Sequence, residues 1–225
     1  MNFLQLCQAV FREGGISGNI TSVVNQRGEA NRVVGWVAQA YQEICQEDPT
    51  RWWFLRERVS IQLPTAGKSE YSPAELGITD LFAYDISTFR VAELSDLRDE
   101  TFVFGRRWPD FRDYWRFSSR RDVISRPLEV AVTPNKGLAL GPLPDRQYYV
   151  QFEYVKLAPP LVADTDVPLL PEEFHMLVVW VALRHYGAFE AAPEVVMRAE
   201  ASANEMMTRM FINQTDEISV GGPLC

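Results

Sequence analysis

The segment Leu169-Leu170-Pro171-Glu172-Glu173 followed by Phe174–Leu183 constrains the fold more than any other part of the chain. Within Phe174–Leu183 the only polar residue is His175. Pro171 with two acids just before the apolar run is a helix-opening pattern, because carboxylates favour the positive end of the helix dipole. A helix that is apolar all round has no solvent face and must be covered on every side. The spacing predicts a helix over 171–188. A second helix over 193–211 starts at Pro193 and carries Val196, Ala199, Ala203, Met206 and Met210 on one face. No nucleophile, metal cluster or phosphate loop accompanies this pair, so it is read as a packing element, in part against copies of the same chain.

Two more helices are expected before it. Residues 2–13 place Phe3, Leu6, Cys7, Val10 and Phe11 at helical spacing, and Gly14-Gly15 ends the run. Residues 29–47 carry Val33, Val37, Ala40 and Ile44 on one face and stop at Asp48-Pro49. Between these helices, residues 16–27 read as a small polar linker.

From Arg56 to Leu157 the pattern changes. Val59-Ser60-Ile61-Gln62-Leu63 alternates as a strand with one buried face. Glycines and prolines recur, with short apolar runs between them at 128–133, 137–140 and 148–157. Residues 137–155 read as a hairpin. Phe89–Ser95 and Phe111–Phe117 fit a short helix or strands equally. The expected fold class is α+β. A helical bundle forms from residues 1–55 and 158–211, a β-rich sheet or barrel-like insert spans 56–157, and an extended C-terminal tail covers 212–225.

Composition narrows the function. The formal charge is −8 with 22 basic residues, of which only Lys68, Lys136 and Lys156 are lysine. An acidic surface disfavours a dedicated nucleic-acid binder. Arginine suits interfaces, where its planar fork pairs with carboxylates and stacks on rings. Cys7, Cys45 and Cys225 are odd in number and widely spaced, which points to a reducing compartment rather than a disulfide framework. No apolar run approaches the roughly 20 residues of a membrane helix, and no secretory signal pattern opens the chain.

The candidate chemical motifs are weak. Ala66-Gly67-Lys68-Ser69 resembles the end of a phosphate loop, but Gln62 stands where the first glycine belongs. Gly15-Ile16-Ser17-Gly18-Asn19 lacks the last glycine of a nucleophile elbow. His175 and His185 are ten positions apart and do not form a metal-chelating pair. Acids such as Glu172-Glu173, Asp164 and Asp166 match the carboxylate chemistry of glycan hydrolysis only unspecifically. No catalytic residue, metal ligand or cofactor is expected. The densest pattern is Arg106-Arg107-Trp108, then Arg112, Trp115 and Arg116, with Arg120, Arg121 and Arg126 following. Arginines interleaved with aromatics suit a protein–protein interface, a salt-bridged loop or a single-strand nucleic-acid surface, in that order.

The order of local motifs resembles a known family. It runs through Asp48-Pro49, Trp52-Trp53-Phe54-Leu55, Trp108-Pro109-Asp110-Phe111-Arg112-Asp113 and Leu140-Gly141-Pro142-Leu143-Pro144-Asp145. It continues with Leu170-Pro171-Glu172-Glu173-Phe174-His175, Phe189-Glu190-Ala191-Ala192-Pro193-Glu194 and Gly221-Gly222-Pro223-Leu224. This is similar to the head-to-tail adaptor (connector) proteins of tailed bacteriophages. The resemblance implies a structural, non-enzymatic virion protein made in the host bacterial cytoplasm. It implies a dodecameric homo-oligomeric ring under the portal protein at the portal vertex, extending the channel for double-stranded DNA. A downstream tail protein, nozzle or tail tube, would attach below, and no membrane is involved. It places Phe211, Ile212, Ile218, Val220 and Leu224 on the portal. Trp180, Arg106, Arg107, Trp108, Arg112, Trp115 and Arg116 fall at subunit or tail contacts. The alternatives are a tail accessory protein with peptidoglycan-hydrolase activity and a nucleic-acid binder using Arg106–Arg126.

Overall fold

The computed structural model describes residues 1–63, 67–117 and 119–214. They fall into two compact units. One is drawn from Met1–Phe54 and the residues from Ala158 onward, the other is Leu55–Leu157. The architecture is α+β, as expected.

The first unit holds four α-helices among the described residues: α1 (Phe3–Gly14), α2 (Gly28–Glu47) and two from the C-terminal half of the chain. The 171–188 segment begins with a single 3-10 turn, Glu172–Phe174, before an α-helix over His175–Phe189. The 193–211 segment is helical over Pro193–Asn213. Ile212 and Asn213, expected in an extended tail, thus complete the last helical turn. Asn2 caps the first helix through a reciprocal exchange with Gln5, the capping-box arrangement. Gly15 ends it at φ 63, a left-handed position that suits glycine.

Helix His175–Phe189 is covered by the helices at Phe3–Gly14, Gly28–Glu47 and Pro193–Asn213 of its own chain. Leu177, Val178, Val179, Ala182 and Leu183 are all fully buried. The all-round apolar pattern is therefore satisfied intramolecularly, and only the side bearing Met176 and Trp180 stays half-open. Residues 16–27 are more than a linker. Ile16, Ile20 and Val23 are buried, and the Val23 N–H donates to Asp164 Oδ1 at 2.5 Å. Asp164 and Asp166 offer their backbone carbonyls to the Leu4 and Phe3 N–H groups, which lack intrahelical partners.

The second unit contains eight strands and one α-helix among its described residues. The strands are β1 (Arg56–Gln62), β2 (Glu70–Tyr71), β3 (Leu81–Glu93), β4 (Asp96–Phe102), β5 (Phe104–Gly105), β6 (Glu129–Val132), β7 (Leu138–Gly141) and β8 (Tyr148–Lys156). One sheet runs β1-β8-β3-β4 with antiparallel neighbours. The other runs β2-β7-β6-β5, with β5 parallel to β6. No closed barrel forms among the described residues. The core of this unit draws on both sheets, with Phe89 and Phe152 stacked at 4.5 Å and Val91, Val130, Leu140 and Val150 around them.

Residues 137–155 are not a hairpin. β7 pairs with β6, while β8 pairs with β1 and β3 in the other sheet. The turn residues Gly141 to Pro144 carry the chain from one sheet to the other, so apolar runs on either side of a turn need not pair. β7 instead forms a hairpin with β6, joined by Thr133–Gly137 with Lys136 at φ 58. Phe89–Ser95 falls mostly in the long strand β3, and Phe111–Phe117 mostly in α3 (Trp108–Trp115). β4 is exposed along its whole length. Asp96, Arg98, Asp99 and Glu100, with a register break opposite Ala92, blunt an edge that would otherwise invite pairing.

Candidate functional site

The arginine–aromatic segment folds as α3 and the turn after it. Phe111 is its buried anchor, packed with Ala131 and Ala139 beneath Trp108 and Trp115. Trp115 lies across Gly141, where a β-carbon would stand 2.7 Å from the indole. Its Nε1–H donates to Glu129 Oε2 at 2.6 Å, and the same oxygen pairs with Arg106 Nη1 at 3.1 Å. Arg116 reaches Glu70 at 3.4 Å and stacks on Phe111 at 5.2 Å. Arg126 binds Asp99 and donates to the Val91 carbonyl at 2.9 Å. These groups are structural: they fasten α3 and the following loop to the sheets.

The outward side of the same element differs. The Arg106 and Arg120 guanidiniums lie 4.7 and 3.9 Å from the Tyr114 ring centre. Arg112 pairs with the adjacent Asp113 and covers Phe117 at 5.3 Å. Arg107 and Arg112 are exposed, while Trp108, Trp115 and Arg116 are half-buried. Arg106 and Arg112 thus combine a ring contact with a carboxylate partner. The segment therefore splits into a buried fastening side and a displayed cation–aromatic side, which spacing alone did not separate.

The second candidate lies at the end of the last helix, now α5 (Pro193–Asn213), beyond α4 (His175–Phe189). Phe211 stacks on the fully buried Trp52 at 4.9 Å, and Arg51 covers its ring at 5.2 Å. It is thus held by its own chain. Ile212, 73% exposed, points outward beside it. Ile218, Val220 and Leu224 lie outside the described residues. Gln214, which sequence reasoning missed, is 7% exposed, and its Oε1 accepts the Trp53 N–H at 3.1 Å. Only a buried amide at a helix end would have signalled it. Trp180 sits half-exposed with the Arg198 guanidinium 6.0 Å from its ring.

The weaker motifs resolve into structural roles. Lys68 is engaged by Glu75 and covers Tyr71; Ala66 lies outside the described residues. The Asp166 carboxylate accepts from the Val162 and Ala163 N–H groups, which hold its pKa below the usual carboxylate range. His175 is buried and donates from Nε2 to the Leu170 carbonyl at 3.0 Å. His185 and Arg184 both contact Glu43. Burial pushes the thiols of Cys7 and Cys45 up to about 12, so both behave as core residues. Among the described residues no group of three or more His, Cys, Asp or Glu side chains is placed to hold a metal, and no helix is long and apolar enough to cross a membrane.

Charge is unevenly shared. Leu55–Leu157 carries 15 of the 22 basic residues and 15 of the 30 acidic ones, for a net of zero. The remaining 7 basic and 15 acidic residues give the rest of the chain the whole −8. An acidic helical unit is thus joined to a charge-balanced, arginine-rich β unit, and both display aromatic and aliphatic side chains, the composition of a chain that presents surfaces. The comparison with family models makes this specific. The model for the SU10 adaptor protein matches residues 1–224. The chain belongs to that family and is a phage structural adaptor, a virion component, as its motif order implied. A comparison with curated proteins gives no match.

Proposed function

We propose that this chain is the repeating subunit of a head-to-tail adaptor ring that docks beneath the portal protein. The ring prolongs the DNA channel at the portal vertex and offers the surface on which the downstream tail protein assembles. The observation that carries this reading is the family match over residues 1–224. The outward groups support it. Ile212 is exposed on the last helical turn, next to Phe211, which its own chain packs against Trp52. Ile212, Ile218, Val220 and Leu224 form the portal contact, with Phe211 as the anchor behind them. Trp180, Arg107 and Arg112 serve subunit or tail contacts, backed by Arg106, Trp108, Trp115 and Arg116. The carboxylate partners of Arg106, Arg112, Arg116 and Arg126 favour a protein surface over a phosphate-tracking one, since those charges are already matched. A net −8 keeps a duplex from adhering to a channel wall.

Light-scattering chromatography of the protein alone, and mixed with the portal ring of the same genome, tests this. A shift of the portal peak by many subunit masses, about twelve for a dodecamer, is expected. An unshifted portal peak would overturn it.

A further inference from the structure

We propose that the last turn of α5 is a latch that couples the residues after Gln214 to the order of Trp53–Leu55, the turn through which the chain passes into β1. The inference rests on the reading that the C-terminal segment docks on the portal.

Three contacts close the latch, all within the helical unit. Gln214 Oε1 accepts the Trp53 N–H at 3.1 Å, across 161 positions of sequence. The Gln214 backbone N–H in turn donates to the Met210 carbonyl at 2.9 Å, which places the side chain only while the helix end is wound. Phe211 stacks on Trp52 at 4.9 Å and 21°, and Trp52 is itself fixed by its Nε1–H on the Ile44 carbonyl at 3.0 Å. Asn213 Nδ2 adds a bond to Glu173 Oε1 at 3.3 Å.

Helix ends fray more readily than helix interiors. Each unwinding of this turn withdraws the acceptor from the Trp53 N–H. A partner that grips the residues beyond Gln214 holds the turn wound, and so holds Trp53 in place. The Trp53 amide is therefore the reporter, and the coupling must be reciprocal. If docking stabilises the latch by some factor, breaking the latch weakens docking by the same factor.

The experiment is amide hydrogen exchange over Trp53–Leu55, with and without the portal ring of the same genome. It compares the wild type, Gln214→Ala and a chain lacking Thr215–Cys225. One hydrogen bond of this kind corresponds to about a twofold to tenfold change. In the wild type the ring is expected to slow Trp53 exchange by that factor. In Gln214→Ala exchange is fast with or without the ring, and affinity for the ring falls by a similar factor. The shortened chain neither binds nor responds. Binding by the wild type with unchanged Trp53–Leu55 exchange overturns the latch and leaves docking standing. Wild-type affinity in Gln214→Ala overturns the latch as well. Failure of the wild type to bind the ring overturns the docking reading, and the latch with it.

Discussion

Trp52 and Phe211 stack face to face, with ring centres 4.9 Å apart and planes inclined by 21°. One ring follows the second helix and the other closes the fifth, so the contact joins the two halves of a helical unit interrupted by the whole β unit. Trp52 is completely buried, and its indole N–H is satisfied by the Ile44 carbonyl. Aromatic pairs in offset contact contribute about 0.5–1.5 kcal/mol beyond the area they bury.

The first prediction follows from that pair. Trp52→Ala should destabilise the protein by about 3–5 kcal/mol, because it empties a fully buried aromatic site. Phe211→Ala, at a half-buried site, should cost roughly 1–2 kcal/mol. The double variant should show a coupling of about 0.5–1.5 kcal/mol in urea unfolding. Simple additivity of the two losses would mean that the rings are neighbours without mutual stabilisation.

A second prediction concerns Gly141. A β-carbon there would meet three atoms of the Trp115 indole at 2.7–2.9 Å. The indole cannot slide freely, since its N–H is held by Glu129. Gly141→Ala should therefore cost about 1–3 kcal/mol by overpacking. In a Trp115→Ala background the same change should cost little. Equal losses in both backgrounds would show that the strain comes from the backbone, not from the ring.

Acid should weaken the helical unit through His175. Burial lowers the pKa of this imidazole from its ordinary 6.5, outweighing the opposing contact with the Leu170 carbonyl. The folded protein thus binds fewer protons than the unfolded chain just below pH 6.5, and stability must rise with pH through that window. The contribution is complete above 6.5 and is lost as the pH falls from 6.5 through the depressed folded value. Thermal melts of wild type and His175→Gln at a series of pH values from 7.5 to 5 should show a shallower acid slope in the variant. Parallel slopes would assign the acid sensitivity to the carboxylates instead.

Much of this arrangement was written in local sequence periodicity. The helices carrying Val33, Val37 and Ile44, and Ala199, Ala203 and Met210, bury those residues because a 3.6-residue apolar repeat leaves one face to cover. Strands β6, β7 and β8 were legible as apolar runs between turns. Their pairing was not, because which strand a run joins depends on sheet crossing at Gly141–Pro144, and turn residues do not encode it. β4 escaped notice because an edge strand exposed on both sides, Asp96–Phe102, has no buried face to impose alternation. At the candidate surfaces, composition marked the arginine–aromatic segment but gave no way to tell Arg106, fastened to Glu129, from the outward Arg107. The covering of α4 by its own chain depended on helices distant in sequence, so the same apolar run was compatible with a neighbour in trans.

That last ambiguity leaves one residue to test. On α4, Leu177 is fully buried between helices, whereas Trp180 is half-buried, with the Arg198 guanidinium 6.0 Å from its ring. Truncating them should separate folding from assembly. Leu177→Ala should cost about 2–5 kcal/mol in the free subunit, since it opens a cavity in a closed core. Trp180→Ala should cost roughly 1–3 kcal/mol there, because the ring is half-buried and part of it already faces water. If Trp180 is a contact between subunits, its removal should nevertheless weaken assembly on the portal ring more than tenfold, as loss of a central aromatic anchor does. Sedimentation of the two variants with the ring reads both effects, with unfolding curves run alongside. Wild-type assembly by Trp180→Ala would place that ring's role within its own chain, as the platform for Arg198.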